Sequence, residues 1–175
     1  CVLAETTRRA IPATVRLEVA GDIVPVEIES AAEGTTRGRM DQPLPRLEEW
    51  RGSPEALLRT LRVAASVLPL RLYDNGVPHL FVMLPTVADV LGIAPDFAAL
   101  REVSAGALIN CFAGDGSEYT TRMFSPSGLA MPEDPATGSA AGPLAVHLLQ
   151  HGLIASGQEI TISQGEKVGR PSTLL

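Results

Sequence analysis

The chain has 175 residues, of which 45% are hydrophobic and 19% charged, and its formal net charge is -6. This suits one medium domain or two small ones with a buried core. It excludes the clustered Lys and Arg that a nucleic-acid backbone requires, and no run of about 18 apolar residues is present to span a membrane.

Two cysteines, Cys1 and Cys111, sit in no CxxC or zinc-ligand spacing. Neither a disulfide framework nor a metal site is therefore expected, and a reducing, cytoplasmic compartment is the default. Arg8-Arg9 reads as a solvated pair, and no signal-peptide pattern opens the chain. The opening CVLAET reads as the last turns of a helix already under way, and PSTLL stops in what reads as the first residues of a strand. Both ends are expected to be cut edges of a longer protein.

Residues 15–18 and 23–28 alternate apolar and polar side chains around Ala20-Gly21-Asp22, which predicts a hairpin. Residues 30–46, rich in Gly, Thr and Pro, read as a long loop or linker, with GRMDQPLP extended within it. The domain reading is a remnant of a first half over 1–35, a linker over 36–52 and a second half over 53–175. Ser53-Pro54-Glu55 opens a helix, with Ser53 as N-cap and Leu57, Leu58, Leu61 and Val63 on its apolar side.

Strands are expected over 69–73, 79–84, 107–113, 119–124 and 160–162, with a turn at Asp74-Asn75-Gly76 and short helices over 86–91 and 96–103. The main helix falls within 136–152. Pro143 is tolerated only near a helix start, which places that start near Ser139 and the helix over about 139–151, with Gly152 just past its end. Ala140, Ala141, Leu144, Ala145, Leu148 and Leu149 make it apolar on most faces. Strands follow one another without regular helical crossovers, so the fold class is α+β rather than a doubly wound parallel sheet.

Chemistry is concentrated in RMFSPSGLAMPEDPATGSAAGPLAVHLLQHGL. Two adjacent acids, Glu133 and Asp134, precede Thr137-Gly138-Ser139 at the start of a buried helix. A helix N-terminus carries unpaired N–H groups and partial positive charge, which suits a carboxylate. An acid beside it could move a proton on the neighbouring carbon. The competing structural reading makes Thr137 or Ser139 a plain N-cap and the acids partners of the helix dipole.

EDPATGSAAGPLAVHLL, with RMFSP before it and QGEKVGRPS after it, resembles the signature of the phenazine-biosynthesis PhzF-like family, in the diaminopimelate epimerase-like superfamily. GRMDQPLP and YDNGVPHLFV fit the same pattern. The resemblance implies two similar halves, each a curved sheet or barrel around a central helix, with the active site in the cleft between them. It implies isomerisation by proton transfer on a small carboxylate-bearing metabolite, without metal or organic cofactor, and a homodimer. By the same resemblance, Asp134 and Ser139 are catalytic candidates, and Thr137, Gly138, Ser139, Asn75 and Gly76 bind substrate. The family's principal glutamate and its GHPT-like histidine motif have no counterpart in the sequence; they are expected upstream of Cys1, which would leave this chain alone inactive. A catalytically silent small-molecule-binding protein of the same fold is the alternative.

Related racemases use a cysteine pair, but Thr137 stands where the second cysteine would, and Cys111 reads as a core residue. His147 and His151 share a helix face at i, i+4 without a third ligand, so their reading is structural. His79 reads as packed or hydrogen-bonded rather than as a base. Glu133 is expected at solvent or in an ion pair, while Arg122 and Arg170 are divided between substrate contact and structural pairing.

Overall fold

The computed structural model describes residues 11–19, 22–30, 36–126 and 131–175, and the chain separates into two units, Cys1–Pro43 and Leu44–Leu175. The opening-helix reading and Arg8-Arg9 lie outside the described residues. In the first unit, β1 (Ala13–Val19), β2 (Asp22–Ser30) and β3 (Thr36–Met40) form an antiparallel sheet in that order. The predicted hairpin is β1–β2, in register from Ala13↔Ile28 to Val19↔Asp22; Ala20 and Gly21 of its turn lie outside the described residues. Val15 and Ile28 are buried there, with Ile11, Leu17 and Val26 packed against them.

The second unit is built on one mixed sheet. Its strands are β4 (Arg46–Glu48), β5 (Arg71–Asp74), β6 (Pro78–Met83), β7 (Leu108–Asp115), β8 (Glu118–Phe124), β9 (Glu133–Asp134), β10 (Thr161–Gln164) and β11 (Ser172–Leu174). They run in the order β11-β10-β8-β7-β6-β5-β4, with β9 paired to β8. The β6–β7 and β8–β10 pairings are parallel and the others antiparallel.

The reading of 30–46 as a loop is corrected by β3 and β4. Both are held by backbone pairing to β2 and β5, and residues 37–40 and 46–48 are exposed. No apolar alternation marks such edge strands, so the pattern that reveals buried strands is missing. The boundary at Pro43–Leu44 falls within this stretch.

Helices cover both faces of the large sheet. On one lie α1 (Pro54–Leu61), α2 (Val87–Gly92) and α3 (Phe97–Val103), whose Leu57, Leu61, Val90 and Leu100 pack with Leu80, Val82, Ile109 and Cys111. On the other lies α4 (Gly138–Gln150), packed on Tyr73, Phe81, Phe112, Tyr119 and Ile162. Alternate residues of β5, β6 and β7 therefore feed two cores, which is why these strands read as continuous apolar runs. The caps follow the sequence. Ser53 Oγ accepts from Ala56 N at 3.2 Å, Thr86 and Asp89 form a capping box, and Asp96 caps Ala98 and Ala99. These pairings satisfy N–H groups that have no acceptor within the helix.

Helix α4 starts one residue earlier than the proline argument placed it. It also buries one stripe, Ala140, Pro143, Leu144, His147 and Leu148, rather than most of its circumference; Leu149 is 44% exposed. The spacing of that stripe is the i, i+4, i+7, i+8 pattern of a helix with one apolar side. At its end Gly152 adopts φ 69°, and Leu153 N donates to Leu148 O, closing the helix with the left-handed residue that glycine supplies without strain.

Candidate functional site

The two adjacent acids have different fates because they lie on a strand. Met123 pairs with Asp134 and Phe124 with Glu133 in the β8–β9 ladder, and neighbouring strand residues point to opposite faces. Glu133 turns to the face of Arg122 and Asp134 to the α4 face.

Arg122 meets Glu133 in a two-pronged ion pair, Nε to Oε1 at 2.8 Å and Nη2 to Oε2 at 2.7 Å, with both residues buried. Its Nη1 donates to the carbonyls of Val90, Leu91 and Ile93, serving the acceptors that the end of α2 leaves open. The guanidinium also lies 5.0 Å from the Phe124 ring centroid. Arg122 is therefore a structural residue, and Glu133 is the ion pair expected of it rather than a solvent-facing acid. Arg170 is exposed, and its amide donates to Gly165 O at 3.0 Å.

Asp134 is held beside the start of α4. Its Oδ2 accepts from Thr137 Oγ1 at 2.9 Å, and its Oδ1 accepts from Ala136 N at 3.3 Å. Gln164, buried at the end of β10, fixes this loop from below. Its Nε2 donates to Asp134 O at 2.7 Å and to Thr137 Oγ1 at 2.9 Å. Its Oε1 accepts from Thr137 N at 3.3 Å and Thr121 Oγ1 at 3.2 Å. Thr137 occupies the N-cap position but makes no side-chain cap bond, because its hydroxyl serves Asp134 and Gln164. Gly165, at φ 87°, lies against the carbonyls of Pro135 and Arg170 with no room for a Cβ, so the QG turn seats directly on the acidic loop.

Gly138 and Ser139 open α4. Ser139 receives two contacts from the β5–β6 region: Asn75 Nδ2 donates to its carbonyl at 2.9 Å, and His79 Nε2 lies 3.1 Å from its Oγ. The Asn75 bond explains how Pro143 is accommodated well inside the helix. A proline there has no N–H to give the carbonyl four residues back, and that carbonyl is Ser139's. Gly76, at φ 107°, donates its amide to Asp74 Oδ1 at 2.7 Å. The turn signal at Asp74-Asn75-Gly76 is thus an Asx turn that delivers Asn75 to α4.

His79 is fully buried, and burial pushes its pKa down to about 4 against the opposing pull of Asp74. Its Nδ1 lies 3.2 Å from Asn110 Nδ2, which also reaches Leu108 O at 3.1 Å. His147 is buried among Tyr73, Phe81 and Phe112. Burial, with His151 and Arg71 adding to it, likewise lowers its pKa to about 4. The Cys111 thiol is buried and pushed up to about 12 by that burial, which keeps it protonated and unreactive.

The structure thus gathers Asp134, Thr137 and Ser139 around one helix start, with Asn75 and His79 supporting Ser139. Gln164 and Asn110 belong to the same constellation and are absent from the sequence-based candidates. The signals for them were a polar residue in the apolar run INCFAG and the first residue of the QG segment. A pocket of about 340 Å³ on β8, β10 and β11 is lined by Thr120, Thr121, Ser163, Gln164, Gly165 and Thr173; it shares Gln164 with this constellation but includes neither Asp134 nor Ser139. Acid, hydroxyl and helix dipole meet at the start of α4.

The scaffold is α+β, a mixed sheet with helices on both faces, and its fold is PhzF-like. A family model described as phenazine biosynthesis-like protein matches residues 1–175, and the chain belongs to that family. It is 43% identical over 160 residues to a trans-2,3-dihydro-3-hydroxyanthranilate isomerase of Pseudomonas chlororaphis, covering 90% of this chain and 56% of that protein. The isomerase of the same name from Pseudomonas aeruginosa is 42% identical over 158 residues, with the same two coverages. A PhzF-family phenazine biosynthesis protein of Bacillus anthracis superposes with a TM-score of 0.81 at 21% identity, covering 98% of this chain and 62% of that one. The chain spans little more than half the length of the curated relatives it matches.

Proposed function

We propose that the protein is an isomerase that moves a proton on a small carboxylate-bearing metabolite, with Asp134 carrying the proton or holding the substrate's amino or hydroxyl group. The observation that carries this reading is the hold on Asp134: Thr137 Oγ1, Ala136 N and the Gln164-braced backbone fix its carboxylate one loop before Ser139 and the start of α4. A substrate carboxylate at that helix start faces the positive end of the dipole. Its neighbouring carbon then lies on the Asp134 side, where a fixed carboxylate acts as general base or acid. Gly138, without a Cβ, lets a ligand approach the backbone. The names of the relatives support a hydroxylated, partly reduced aminobenzoate as the first substrate to try.

A silent binding protein is the second reading. It is favoured by one observation: Glu133, the other acid of the loop, is locked against Arg122 and is no reserve proton carrier. Incubation of the intact protein in deuterated water with trans-2,3-dihydro-3-hydroxyanthranilate and related carboxylates separates the two. Catalysed deuterium incorporation or isomerisation supports the enzyme; calorimetric binding without either supports the binder.

A further inference from the structure

We propose that His79 and Asn110 are positioning residues that make Ser139 an obligate hydrogen-bond donor to the anion at the start of α4. This rests on the carboxylate site proposed above and deepens it.

Asn110 sets the polarity of this chain of contacts. Its Nδ2 faces both Leu108 O at 3.1 Å and His79 Nδ1 at 3.2 Å. A carbonyl oxygen can only accept, so the amide nitrogen must be the atom at that end of Asn110. Nδ1 of His79 is therefore an acceptor, and a neutral imidazole with an accepting Nδ1 carries its proton on Nε2. That proton points at Ser139 Oγ, 3.1 Å away. With one lone pair of Oγ taken by His79, the serine's own hydrogen turns outward. The ring's complete burial and depressed pKa favour the neutral form this requires.

The polarity is the reverse of a nucleophilic triad. There the histidine is oriented by an acceptor at Nδ1 and takes the serine proton at Nε2. Here a donor at Nδ1 forbids it. The arrangement fits a serine that binds a carboxylate oxygen and does not attack. The ligand class is a small monocarboxylate.

Two measurements on the intact protein test this. In nitrogen-15 histidine spectra, His79 should show a protonated Nε2 and a bare Nδ1 from about pH 5.5 to 8, a window above its lowered pKa. A protonated Nδ1 or an imidazolium in that window overturns the proposal. The second measurement is the affinity for anthranilate as a non-reacting probe. His79→Phe should weaken it about tenfold, and His79→Gln, which keeps a donor, should restore it to within about threefold. If Ser139→Ala weakens anthranilate and His79→Phe does not, the positioning role is wrong while the carboxylate site stands. If Ser139→Ala changes nothing, the carboxylate site itself is wrong and the proposal falls with it.

Discussion

Asn75 Nδ2 donates to Ser139 O at 2.9 Å, the carbonyl that Pro143, four residues further on, cannot serve. A defect in the helix ladder and a turn between two strands are thus one feature. The proline removes a donor, and the Asx turn returns one from a different element, fixing the start of α4 to the β5–β6 connection.

That pairing is testable by a double-mutant cycle. Asn75→Ala leaves a carbonyl without its donor and should destabilise the intact protein by about 1–2 kcal/mol in chemical denaturation. In a Pro143→Ala background the helix N–H is restored, so the same change should cost about 1 kcal/mol less. Equal costs in the two backgrounds would show that the bond and the proline are unrelated.

Gln164 joins Thr121, Asp134 and Thr137 through four hydrogen bonds. Gln164→Leu, similar in size, should lower stability by about 2–4 kcal/mol, since several buried groups lose their partners. Gln164→Glu retains the accepting oxygen but cannot donate to Asp134 O. It should therefore loosen the Asp134 loop selectively, giving a larger loss of proton exchange than of stability. Proportionate losses in both variants would reduce Gln164 to a packing residue.

The Arg122–Glu133 pair is buried and bidentate. Glu133→Gln leaves an uncompensated guanidinium in the core and should cost about 3–5 kcal/mol. Because Glu133 faces away from Asp134, the folded variant should still bind anthranilate with wild-type affinity, measured by calorimetry below its unfolding temperature. Lost affinity in a folded variant would return Glu133 to the site.

His79 and His147 each have a folded pKa of about 4, below the unfolded value of about 6.5. Between these values the unfolded chain binds more protons, so stability rises with pH there. The histidine contribution is complete above about pH 6.5 and is lost as pH falls toward 4, on the order of 2–3 kcal/mol per histidine. His147→Phe should flatten part of that slope in denaturation curves taken at several pH values. An unchanged slope would mean His147 is as easily protonated folded as unfolded.

Much of this unit was legible where local chemistry decides the outcome. The cap at Ser53, the turn at Asp74-Asn75-Gly76 and the apolar runs of β6 and β7 all announce themselves. So did the constellation around Asp134, through a family-specific signature. The edge strands β3 and β4 were not legible, because they are exposed and joined only through backbone. The start of α4 falls within one residue of the expected Ser139, but the amide that compensates Pro143 was not legible, because it lies 64 residues earlier in the chain than the carbonyl it serves. Gln164 and Asn110 were missed for the same reason: their partners are set by tertiary register, which no local spacing displays.

In the proposed function, Asp134 and Ser139 are the proton-transfer and carboxylate-binding pair at the start of α4. The most direct test is solvent-deuterium exchange into trans-2,3-dihydro-3-hydroxyanthranilate by the intact protein, comparing wild type with Asp134→Asn and Ser139→Ala. A loss of about 100-fold or more in Asp134→Asn, and of about tenfold in Ser139→Ala, is the predicted result. Exchange at the wild-type rate in both folded variants would contradict it.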